Sequence, residues 1–286
     1  MKPAPFQYHD PATLDEAVGL LAEHEDAKLL AGGQSLMPML NFRFVQPDHL
    51  IDLNGIGELF GIDDDGTRLR IGAMTRQATL KEDAKVAQRL PVMAEALGWV
   101  GHFQTRSRGT IGGSLSNLDP AAELPVVALL FDAELSVKGT GGTRQVPMAE
   151  WPLAYMMPSL GPDEVLASIS LPYWDGPHGY AFEEFARRHG DFAIVAIGCL
   201  LAIENGTISR VSIAIGGAQE TPSRLTACEE ALLGQPATAE TYKAAAAIAR
   251  QQEAMSDAYI SSAYRQRLAG VLIERALSKA AARAGN

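Results

Sequence analysis

Apolar residues recur at Leu14, Ala17, Val18 and Leu21, the spacing of one buried helix face. Thr13 and Glu16 bracket the start of that run as a capping box. Residues 6–9, 28–31 and 49–53 have the length and apolar content of short strands. Another short helix is expected from about Ser35, with Pro38 tolerated in its first turn. Together these predict a small strand–helix–strand–helix–strand unit ending near residue 55.

Beyond it the texture changes. Residues 59–62 and 69–71 flank Asp63-Asp64-Asp65-Gly66 as a hairpin, and 79–82 and 90–100 read as helices. Residues 123–131 form an apolar helix, 134–138 and 143–146 a second hairpin, and 165–171 (VLASISL) a strand. PYWDGPHG (172–179) is rich in proline and glycine and marks a boundary. Three antiparallel strands are expected at 180–187, 193–203 and 207–215, the last two joined by a type I′ turn at Asn205-Gly206. Helices follow at 223–233, 239–253 and 258–282. The pattern predicts an α+β protein. Its first domain spans 1–176, with subdomains at about 1–55 and 56–176, and its second spans 177–286.

Composition narrows the function. A net charge of −10 lacks the basic footprint of a general nucleic-acid binder. No apolar run is long enough to span a bilayer, and MKPAPFQYHD has no signal-peptide core, so a cytoplasmic protein without a transmembrane segment is expected. Cys199 and Cys228 are the two cysteines; both read as small core residues, and two thiolates cannot hold an ordinary iron–sulfur cluster. Neither HExxH nor a Cys/His zinc spacing occurs, so no metal site is expected in this chain.

The chemistry is expected at two near-copies of one phrase, Ala31-Gly32-Gly33-Gln34-Ser35-Leu36 and Thr110-Ile111-Gly112-Gly113-Ser114. Each reads as a Gly-Gly turn with a serine close behind it, after a β-like stretch. Backbone N–H groups without a Cβ beside them admit an anion closely, and a following helix adds its own free N–H groups. A diphosphate between the two loops is the reading, with Thr110, Ser114 and Asn117 as polar lining. Glu123 can accept from a ribose hydroxyl or serve as a helix N-terminal carboxylate. Between the strands at 180–187 and 193–203, ARRHGDFA (186–193) reads from spacing alone as a hairpin with solvated charges. Its alternative is a loop over a cofactor edge.

AGGQSLMPMLNFR, HLIDL, RGTIGGSLSNLDPAAELP and RRHGDFAIV, in this order, resemble the FAD-binding medium subunit of the molybdenum hydroxylases, the group of aerobic carbon monoxide dehydrogenase and xanthine dehydrogenase. The resemblance implies a two-subdomain FAD-binding domain of the vanillyl-alcohol-oxidase-like (PCMH) type. A C-terminal domain with a three-stranded antiparallel sheet and a helical bundle should follow. It places Ala31 to Leu36 at a first FAD loop and Thr110 to Ser114 at a second. Glu123 falls on the ribose side, and Leu166 at an apolar contact. Asp191 lies near the flavin edge. The chain departs from many relatives at Thr105-Arg106-Ser107, and from some at Glu183-Glu184, where they carry a lysine. The implied function is electron transfer from 2Fe–2S clusters of a small subunit to an external acceptor. The electrons come from substrate oxidised at a molybdenum cofactor in a large subunit, the whole being a dimer of heterotrimers, cytoplasmic or at the inner face of the membrane. No catalytic acid or base is expected in this chain; His102 and His189 read as hydrogen-bonded structural residues. The alternatives are a flavin-free scaffold of the same kind of complex and a stand-alone flavin oxidase.

Overall fold

The structure, a computed structural model, describes residues 2–284. It opens with β1 (Gln7–His9), α1 (Leu14–Glu23), β2 (Ala27–Leu30), α2 (Leu36–Asn41) and β3 (His49–Asp52). The three strands form a parallel sheet in the order β1-β3-β2. Parallel neighbours need crossover connections, and the two helices fill that role. Leu14, Ala17, Val18 and Leu21 are the buried face of α1, and both halves of the Thr13–Glu16 capping box form.

The next unit contains β4 (Ile62–Asp64), β5 (Arg68–Gly72), α3 (Gln77–Glu82), α4 (Ala84–Arg89), α5 (Pro91–Trp99), α6 (Phe103–Arg108), α7 (Ile111–Asn117) and α8 (Glu123–Leu130). It continues through β6 (Glu134–Gly139), β7 (Gly142–Pro147), β8 (Pro152–Ala154), β9 (Met157–Pro158) and β10 (Val165–Pro172). Five strands pair antiparallel in the order β4-β5-β10-β6-β7, with the apolar β10 at the centre. Leu59 closes a 3₁₀ turn instead of starting a strand. The helices α4, α6 and α7 and the small β8–β9 pair are additional to the sequence reading.

The chain closes with β11 (Gly179–Phe185), β12 (Val195–Glu204), β13 (Thr207–Gly216), β14 (Ser223–Arg224), α9 (Thr226–Leu232), α10 (Ala239–Ala249) and α11 (Ser262–Ala284). Both residues of the Asn205-Gly206 turn have positive φ, 51° and 77°, as a type I′ turn requires. The expected three-stranded sheet has a short fourth strand, β14, at positions read as the start of a helix. Arg224 causes this. Its guanidinium reaches Glu229, Asp132 and the Leu129 carbonyl, which holds residues 223–224 against β13. Similarly, α11 starts at Ser262 because the Asp257 carboxylate accepts from the backbone N–H groups of Tyr259 and Ile260, fixing a turn there.

Strand β12 is buried on both faces. Ala196 and Leu200 belong to the core that includes α8, whereas Val195, Ile197, Cys199 and Leu201 join the core under α10 and α11. All eight residues of α8 are buried, so this helix is enclosed on every side. Cys199 and Cys228 are free and buried, in a strand and a helix as expected. Burial raises the pKa of both thiols, which keeps them protonated and unreactive. No described helix is long and apolar enough to cross a membrane.

Candidate functional site: a cleft closed by two Gly-Gly segments

A cavity of about 860 Å³ opens between the first two units, within the range of about 300–1,000 Å³ usual for cofactor pockets. Its walls come from the β2–α2 loop, from α7 and the start of α8, from the β9–β10 segment, and from Gly190, Asp191 and Phe192. Ala31 to Leu36, Thr110, Gly112, Gly113, Ser114, Asn117, Glu123, Leu166 and Asp191 all line it. Ile111 does not. Its side chain is 1% exposed and packs in the core, because the helical period turns it away from the cleft.

The two Gly-Gly segments differ in kind. In the first, among the described residues, no protein acceptor meets the backbone N–H groups of Gly32, Gly33, Gln34, Ser35 and Leu36. Gly33 has φ +73°, a left-handed residue that turns successive N–H groups toward one side. Ser35 precedes α2 without capping it, so its hydroxyl is left for the cleft. The second segment is helical, not a loop, and follows α6, not a strand. Its first-turn N–H groups are all occupied. Ile111 donates to Thr75, Gly112 to Ala73 and Ser114 to Thr110 through carbonyls, and Gly113 donates to the Thr110 hydroxyl. Only the first segment therefore presents an open row of donors.

The glycines serve close packing. A Cβ on Gly32 would lie 2.4 Å from the Arg108 carbonyl oxygen, and one on Gly112 would lie 2.5 Å from the Ala73 Cβ. Gly113 faces Ala31, whose Cβ would be 3.4 Å away. The segments are thus clasped together, and a polar chain reinforces the clasp. Asn54 Nδ2 donates to the Ala31 carbonyl, while Arg76 bridges the Asn54 amide oxygen and the Arg108 carbonyl. Asn54 and Arg76 lie outside both glycine phrases, and no motif points to them. Gln77 also lines the cavity, with its Oε1 buried and unpartnered.

Another part of the wall is acidic. Asp119 and Glu123 both line the cavity, and burial raises the pKa of each. Glu123, at the first position of α8, is pushed up to about 7 by burial and then by nearby Asp119, with Arg106 pulling against the shift. Behind it, Glu184 on β11 has both carboxyl oxygens buried and unpartnered. Burial, then Glu123, pushes it up to about 8.

These carboxyls would ionise near pH 4.5 when unfolded. Between that pH and their folded values the native state binds more protons, so stability falls as pH rises and levels off above about 8. Glu184→Gln should flatten this slope and gain on the order of 2–3 kcal/mol at alkaline pH. Urea unfolding of the ligand-free variant and native chains at pH 5 and pH 8 measures it; equal slopes would refute the assignment.

The 186–193 turn does more than carry solvated charge. Arg187, Arg188 and His189 are exposed, but the tip docks on α5 and the residues after it. His189 stands edge-on to Trp99 at 5.8 Å, and Gly190 abuts the His102 ring. Among the described residues neither imidazole hydrogen-bonds another protein group; His102 packs against Gly190 and His189 against Trp99.

Residues 4–174 match the family described as "FAD binding domain in molybdopterin dehydrogenase", and residues 180–280 match "CO dehydrogenase flavoprotein C-terminal domain". The chain belongs to this flavoprotein family. Among its members, the chain is 38% identical to the carbon monoxide dehydrogenase medium chain of Hydrogenophaga pseudoflava, over 99% of each chain. It is also 38% identical to 6-hydroxypseudooxynicotine dehydrogenase complex subunit alpha of Paenarthrobacter nicotinovorans, covering 99% of this chain and 97% of that one. A solved structure of the Hydrogenophaga pseudoflava carbon monoxide dehydrogenase superposes with a TM-score of 0.96 at 39% identity, covering 99% of each chain. Quinoline 2-oxidoreductase from Pseudomonas putida 86 gives 0.96 at 34%, covering 100% of each. As a flavoprotein-family member with medium-chain relatives, the protein is an oxidoreductase subunit.

Proposed function

We propose that the chain holds FAD in this cleft and serves as the electron-transfer subunit of a molybdenum hydroxylase. The observation that carries the proposal is the row of unpartnered N–H groups from Gly32 to Leu36, a donor set suited to a diphosphate. In the same cavity, Glu123 and Asp119 offer acceptors suited to ribose hydroxyls, so the lining matches the polarity of the two parts of one dinucleotide.

In this reading the β2–α2 loop takes the diphosphate, and the hydroxyls of Ser35, Thr110 and Ser114 and the amide of Asn117 complete its lining. Ala31, Gly112 and Gly113 form the clasp, and Ile111 anchors it from the core. Leu166 supplies an apolar contact, and Asp191, with Phe192, borders the flavin edge. Bound FAD supplies one- and two-electron redox chemistry, while the protein binds, orients and shields it. No acid–base pair in this chain is needed.

The subunit's place is between 2Fe–2S clusters of a small partner and an external acceptor, with the molybdenum cofactor in a large partner. Related chains belong to complexes named for carbon monoxide, caffeine, nicotine and glyceraldehyde, which supports substrate selection on another polypeptide. A cytoplasmic dimer of heterotrimers is the proposed assembly, and 1–176 and 177–286 are its domains in this chain.

Purification of the chain with its co-expressed partners, followed by a visible spectrum before and after reductant, tests the proposal. A flavin band of about one FAD per chain that bleaches on reduction is expected. A complex carrying molybdenum and iron without flavin would overturn the proposal and leave a scaffold.

A further inference from the structure

Sequence spacing gives no metal motif, yet the fold assembles three imidazoles outside the cleft. His9 ends β1, His24 is the C-cap of α1, and His49 starts β3. Each is half-buried. One nitrogen from each lies within 4.8 Å of the other two. His9 Nε2 and His49 Nδ1 are 2.9 Å apart, and the His24 and His49 rings stack at 3.8 Å with 8° between their planes. No carboxylate pairs with any of the three among the described residues.

We propose that His9, His24 and His49 form a binding site for one divalent late first-row cation, with Zn²⁺ as its representative. Two nitrogens 2.9 Å apart admit one proton between them, so at least one lone pair already faces the shared space. Two imidazoles on one tetrahedral zinc stand about 3.4 Å apart, given a Zn–N bond of about 2.1 Å. The three nitrogens lie within 4.8 Å of one another, so binding requires the His24 and His49 rings to turn out of their parallel stack and converge to that separation. An all-imidazole donor set suits zinc, copper or nickel and not calcium or magnesium. Three protein ligands leave a further position for water.

The cation would tie three elements of the N-terminal unit together. That unit rests on a core of few residues, including Leu14, Ala17, Val18, Leu21, Ile51 and Leu53, and a small core gains most from a staple. None of the three histidines lines the cleft, so the site is separate from the proposed flavin site.

The test uses the untagged full-length chain stripped with a chelator, titrated with Zn²⁺ against a chromogenic chelator near neutral pH. Binding of about one equivalent is expected, together with a rise in the melting temperature. His24→Ala and His49→Ala should each weaken binding at least about tenfold and abolish the thermal shift, while His178→Ala leaves both intact. A native chain that binds no zinc, or a His24→Ala/His49→Ala double variant that binds as well as native, overturns the proposal. If the variants fail to fold, Co²⁺ added to the native chain decides. Intense visible bands of a four-coordinate nitrogen site support it, and the pale spectrum of hydrated cobalt refutes it.

Discussion

Gly32→Ala is expected to lower the FAD content of the purified complex at least tenfold. The added Cβ would meet backbone, not a movable side-chain tip: the Arg108 carbonyl oxygen at 2.4 Å and the Gly109 Cα at 2.8 Å. Arg76 also donates to that carbonyl, at 2.5 Å. Relief therefore requires the β2–α2 loop to move as a unit, which misaligns its row of N–H groups. Overpacking of this kind costs about 1–3 kcal/mol, so the chain should still fold while losing its ligand. Gly113→Ala should be milder, since the added Cβ mainly meets the Thr110 hydroxyl at 2.8 Å; loss of that cap costs about 1 kcal/mol. Gly19→Ala on the exposed face of α1 has open space around it. It should stabilise slightly and leave flavin unchanged. Absorbance of flavin released on denaturation, per mole of complex, reads all three. A Gly32→Ala complex with full flavin content would refute the clasp.

Arg265→Ala should destabilise the chain by about 3–5 kcal/mol in urea unfolding, the usual cost of breaking a buried charged network. Arg265, on α11, is 4% exposed. Its guanidinium donates to the carbonyls of Ile194 at 2.7 Å and Gly217 at 2.6 Å, and it pairs with Asp257. Removing it leaves two buried carbonyls without donors. Lysine cannot reproduce the planar fork, so Arg265→Lys should recover only part of the loss. Because Ile194 ends the turn that carries Gly190, Asp191 and Phe192 to the cleft, FAD should also bind more weakly in the variant. A cost below about 1 kcal/mol would show that the network is dispensable, as exposed ion pairs often are.

Elements whose pattern is local were legible in the sequence. The α1 face, the capping box, the β6–β7 hairpin and the Asn205-Gly206 turn each announce themselves within a few residues. The cleft was legible as a list of residues, since both glycine phrases line it. Their roles were not. Glycine and serine are poor helix formers, so Ile111–Asn117 reads as a loop. It is helical because Thr110 caps it and Ala73 and Thr75 accept its leading N–H groups. A glycine needed for backbone packing looks the same in sequence as one needed for an anion, and only the position of Arg108 against Gly32 tells them apart. Asn54, Arg76 and the three histidines meet through tertiary contacts across wide gaps in the chain, where spacing carries no signal.

The enclosure of α8 limits how the protein can move. Its first residue, Glu123, stands in the cleft wall, while the rest of the helix is wedged between the five-stranded sheet's helical layer and β12–β13. A helix gripped on all sides has no free surface along which to slide. The helix thus couples the Glu123 side of the cleft to the C-terminal sheet as one body, while the β2–α2 loop on the first unit is not among its principal contacts. A displacement of β12–β13 is therefore passed straight to the Glu123 wall of the cleft, so whatever docks on the C-terminal sheet is mechanically linked to that wall.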